Sequence, residues 1–149
     1  MNALLNANTL TPPYTSWREV ALHLVEDAST QDGEAGHLRV LKGLDAVLSR
    51  LAGHVGSRSL ITRAVNLAHV EAPWTVSGRV APEKILDHLE EQLSARPLDE
   101  RIAAEVTVVF CLLDLLHTFI GVRLTLQLIQ EAWPDLDLQQ IDIRKETRT

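Results

Sequence analysis

Apolar positions recur along most of this chain at intervals of three and four, the spacing that places side chains on one face of an α-helix. Trp17, Val20, Ala21, Leu24 and Ala28 form the first such stripe. Ser16-Trp17-Arg18-Glu19 has capping-box spacing, so a helix is predicted from Ser16 to Ala28. Ser29-Thr30-Gln31-Asp32-Gly33 reads as a loop. A second stripe of Leu38, Leu41, Leu44, Val47, Leu48, Leu51 and Val55 predicts a helix over 34–55, broken by Gly56-Ser57. A third helix over 58–70 turns Leu60, Ile61, Ala64, Leu67 and Ala68 inward and is stopped by Ala72-Pro73-Trp74.

Pro82 suits a helix start, where its missing N–H costs no intrahelical bond. A fourth helix is predicted over 82–95, with Ile85, Leu86, Leu89 and Leu93 facing the core. The stretch 99–120 is apolar almost all round, which marks a central helix. Gly121 breaks or bends the chain there, and a last segment over 122–133 ends at Pro134. No segment alternates with the period of two expected of a strand. The expected fold class is all-α, a single-domain bundle of five to six helices. Residues 1–15 read as an extended or disordered arm, 16–134 as the bundle, and 135–149 as a polar mobile tail. Leu136, Leu138, Ile141 and Ile143 in that tail are available for weak docking.

One pattern recurs. Val55-Gly56-Ser57-Arg58 and Ile120-Gly121-Val122-Arg123 share an aliphatic–Gly–x–Arg order 65 residues apart, each after a long helix. A shared joint of this kind implies two helical hairpins about a pseudo-twofold axis, and chance recurrence in a Leu-rich chain is the competing reading. Arg58 and Arg123 are thereby candidate anion-binding residues, although an arginine beside a helix end also serves simply to bond its open carbonyls.

Composition narrows the picture. A chain of 149 residues fits one domain, and 46% hydrophobic residues suffice for a core. The net charge of −6 works against non-specific nucleic-acid binding. One cysteine, Cys111, permits no intrachain disulfide, so a reducing cytoplasmic setting is expected. The N-terminus lacks the basic region of a signal peptide. The apolar run 106–120 is shorter than the roughly 20 residues of a membrane span, and no membrane role is expected.

Candidate chemistry is sparse. Glu34-x-x-His37 and Asp114-x-x-His117 have the carboxylate–His spacing of helical metal sites. The bland reading is a helix-start charge and a satisfied polar pair, and no metal or cofactor is assigned. Asp114 and His117 interrupt the apolar central helix, so they are candidate ligand-binding residues together with Arg58 and Arg123. Nucleophile elbows, phosphate loops and dinucleotide fingerprints are absent from the sequence. Trp74 and Trp133, each beside a proline, are candidate interaction anchors. The expected function is that of a non-enzymatic protein-interaction or regulatory module with a protein partner or itself, as a homodimer. The alternative is a small-ligand- or metal-binding helical protein using the polar pair in the central helix.

Overall fold

A computed structural model describes residues 16–32, 38–71, 80–137, 141 and 143. The arm at 1–15, the Glu34–His37 pair, Trp74 and Leu138 lie outside the described residues. Four α-helices are present among the described residues: α1 (Trp17–Asp32), α2 (Arg39–Glu71), α3 (Ile85–Ser94) and α4 (Leu98–Ala132). A 3-10 turn, Pro82–Lys84, leads into α3. The fold is all-α, with four helices among the described residues rather than five or six, because two of the expected helix ends fall at kinks, at Gly53 and Gly121, where two helical stretches run on from one another.

Helix α1 starts where the capping pattern places it. Ser16 Oγ accepts the N–H of Glu19 at 3.2 Å, and Val20 N donates to the Ser16 carbonyl. Trp17, Val20, Ala21, Leu24 and Val25 are buried along one face. The helix continues through the expected loop at 29–32. Ser, Thr, Gln and Asp lower helix propensity by only tenths of a kcal/mol each, and no glycine or proline intervenes before Gly33.

Helix α2 begins on a residue that cannot cap it. Leu38 is fully buried with φ of 57°, and its carbonyl accepts the first helical bond, from Lys42 N. A leucine in the left-handed region costs about 1–2 kcal/mol, a cost comparable to what burying its side chain returns. The open N–H groups of Val40 and Leu41 are taken instead by Glu105 Oε2 of α4, at 3.1 and 3.2 Å.

The expected break at Gly56-Ser57 falls elsewhere. Gly53 carries the non-helical pair φ 84°, ψ 160°, while residues 56–57 are helical. That backbone region is open essentially only to glycine. Gly56 serves the corner differently, since a Cβ there would lie 3.2 Å from the Ala52 Cβ. Moving the bend to residue 53 turns Leu51 and Val55, expected in the core, out to solvent at 63% and 79% exposure. Helix α4 bends in the same way at Gly121, with φ 89° and ψ 168°.

The two bends are 68 residues apart, not 65, and buried positions coincide at that offset. Leu38, Val40, Leu41, Leu44, Val47 and Leu48 are buried before Gly53. Val106, Val108, Val109, Leu112, Leu115 and Leu116 hold the matching positions before Gly121 and are buried too. After the bends, Ser57 and Ile61 match Thr125 and Ile129, all four fully buried. Trp17, Ala21 and Val25 of α1 match Ile85, Leu89 and Leu93 of α3. Packing is densest between α2 and α4, with α1 lying chiefly on α4. The core also takes in Ile141, and Leu136 and Ile143 pack against it.

Candidate functional site

The residues singled out in the sequence are placed separately. Arg58 lies five residues past the first bend, and its Nε donates to Asp45 Oδ1 at 3.2 Å. Its Nη1 donates to the Glu83 carbonyl at 2.6 Å. Ser57 Oγ donates to the same Asp45 Oδ1 at 2.6 Å. Asp45 thus joins the first half of α2 to the first turn of the second half, and Arg58 ties both to the 3-10 turn. Arg123 lies two residues past its own bend and is exposed. At the 68-residue offset the counterpart of Arg58 is Leu126, so the two arginines are not equivalent.

Asp114 and His117 do not pair. Asp114 is exposed. His117 Nδ1 accepts the indole N–H of Trp17 at 2.8 Å, with the rings edge to face at 5.9 Å. The buried carboxylate of α4 is instead Glu105, 3% exposed. Burial pushes its carboxyl above the usual range, opposed by the two N–H groups it accepts. No hydrogen bond or ion pair joins any two of Arg58, Asp114, His117 and Arg123.

Cys111 is buried, and burial foremost, with the Glu71 charge second, pushes its thiol up to about 11. At neutral pH it is a protonated, apolar-like side chain and a poor nucleophile. Among the described residues no group of three or more His, Cys, Asp or Glu side chains is placed to hold a metal ion.

Trp133 ends α4, half-buried, and seats its ring against α2 at Gly43. A Cβ at Gly43 would lie 3.2 Å from Trp133 Cζ2, so the seat depends on the missing side chain. Trp133 also lines a cleft of about 550 Å³ between α1, the start of α2 and the end of α4. Large apolar side chains are exposed beside both bends: Leu51 and Val55 at the first, Phe119 (59%) and Leu124 (50%) at the second. Sequence spacing missed the first of these corners because it put Leu51 and Val55 in a helix running straight to residue 55, whereas the break or bend expected at Gly121 is where the second lies.

No protein-family model, no curated protein and no solved structure matches the chain.

Proposed function

We propose that this chain is a non-enzymatic protein-interaction or regulatory module that pairs with a second copy of itself through its glycine corners. The observation that carries the reading is the exposure of Leu51, Val55, Phe119 and Leu124 on either side of Gly53 and Gly121. Large apolar side chains grouped at two sites on a small domain are the usual raw material of association surfaces. The near-repeat at 68 residues supports two related three-segment units about a pseudo-twofold axis. It also favours self-pairing, since a corner complementary to its own kind gives a closed, isologous dimer.

The cytoplasm is the proposed location, on the strength of the single reduced cysteine and the net charge. Helix α4 is long and apolar enough to cross a membrane by length and composition. Just under half of its most apolar stretch is buried against the rest of the fold, Val108, Val109, Leu112, Leu113 and Leu116 among it, while Phe119 is exposed.

Light scattering after gel filtration tests the reading. The wild-type chain is expected to give a dimer mass, and L51E and F119E a monomer mass with unchanged circular dichroism. A monomeric wild-type chain at all concentrations, or dimers that persist in both variants, would overturn it.

A further inference from the structure

The cleft at the end of α4 is partly open to solvent and is walled by three helices and a turn. Its apolar side is made by the partly exposed Ala28 of α1, Ala132 and Trp133 at the end of α4 and Leu136 of the turn, over the buried Leu24 and Val40. Its volume of about 550 Å³ is in the range of small-molecule sites. The remaining wall, 133–137, is a turn pinned by one side chain. Gln130 Nε2 donates to the carbonyls of Pro134 at 2.9 Å and Leu136 at 3.1 Å, and lies 3.4 Å from that of Trp133. Leu136 N donates to the Trp133 carbonyl at 3.0 Å. The indole is fixed from behind by its seat on Gly43.

The charge of the lining is lopsided. Asp27, Asp135 and Asp137 stand against one guanidinium, Arg39, and one imidazole, His23. His23, Asp27, Arg39 and Asp137 each already hold a partner. Asp135 is exposed on the turn and bonds to no other described residue. An indole attracts a cation through its ring quadrupole, a carboxylate beside it supplies the opposite charge, and the apolar side takes the rest of the ligand. The chain's net charge of −6 favours approach of a cation as well.

We propose that this cleft binds a small organic cation, an amine or quaternary ammonium carried on an apolar body. The body lies against Ala28, Ala132 and Trp133, and the charge faces Asp135. This site is separate from the glycine corners, so dimerisation and cation binding stand or fall independently.

Benzyltrimethylammonium is the probe, with 3-phenylpropionate as the anion of similar size, each titrated by calorimetry and by amide and indole NMR. The cation is expected to bind saturably and to shift the Trp133 indole signal. Asp135→Asn and Trp133→Leu are each expected to weaken it roughly two- to fivefold, the worth of one exposed charge or cation–π contact. Asp135 is exposed, so its variant keeps the test decisive even if Trp133→Leu fails to fold. Absence of saturable binding, equal binding of the anion, or unchanged affinity in Asp135→Asn would overturn the proposal.

Discussion

Glu105 Oε2 of α4 lies 3.1 Å from the amide nitrogen of Val40, 65 residues earlier in the chain, and closes the N-terminus of α2. A distant carboxylate performs the task that Ser, Thr, Asp or Asn performs locally in most helices. Its burial has a pH signature. The folded state holds the Glu105 proton more tightly than the unfolded chain does. Stability from this group is therefore complete below the ordinary carboxylate value. It is lost as pH rises through the raised folded value, and is flat above it. In Glu105→Gln that decline should vanish in urea denaturation followed across pH. Glu105→Ala should cost about 1–3 kcal/mol or more, because two N–H groups are left buried without an acceptor.

Trp17 and His117 hold α1 against α4 by a single hydrogen bond of 2.8 Å. Trp17→Phe keeps most of the buried ring and removes the donor, so it should cost about 1–2 kcal/mol. In NMR of the wild-type chain the Trp17 indole proton should exchange slowly with solvent, and His117→Ala should release it. Fast exchange in the wild-type chain would refute the bond.

At Gly53 nothing lies within 4 Å of a built Cβ, so the cost of a side chain there is backbone strain alone. Gly53→Ala and Gly121→Ala should each lower stability by about 1–3 kcal/mol. D-alanine at position 53, introduced by chemical ligation, should restore most of the loss, since it adopts positive φ without clash. Equal melting temperatures for the L and D forms would show that φ is not the constraint.

The Cys111 thiol, raised to about 11 from an ordinary 9.0, should resist alkylation. At pH 8 its thiolate fraction alone makes reaction with iodoacetamide about a hundredfold slower than in the denatured chain. Mass spectrometry after timed quenching reads the ratio directly.

The helical class and several boundaries were legible because their causes are local. Ser16 caps the chain beside it, Pro82 opens a turn and Pro134 follows the end of α4. The bend in α2 was not legible, since Gly53 and Gly56 lie one turn apart. Which of them breaks the helix depends on how Ser57 and Arg58 reach back to Asp45. The role of Glu105 was hidden for the same reason: its partners are nearly half the chain away. Asp114 drew attention by interrupting an apolar run, yet it points to solvent, and His117 found Trp17 rather than the carboxylate one turn away. The cleft was not legible, because its walls come from three helices, and Trp133 stood out only as a candidate interaction anchor.

The two corners share a backbone geometry but not the groups that secure it. Where the first has Asp45 and Arg58, the second has Leu113 and Leu126 in matching places, with Thr125 Oγ1 donating to the Gly121 carbonyl at 2.7 Å. One joint is clasped by charge and the other by grease. The charged clasp is itself largely shielded from solvent, so dissolved salt screens it far less than an exposed ion pair. Two bends of equal form in one chain thus rest on different chemistry, so a substitution that removes the Asp45–Arg58 clasp has no counterpart at Gly121.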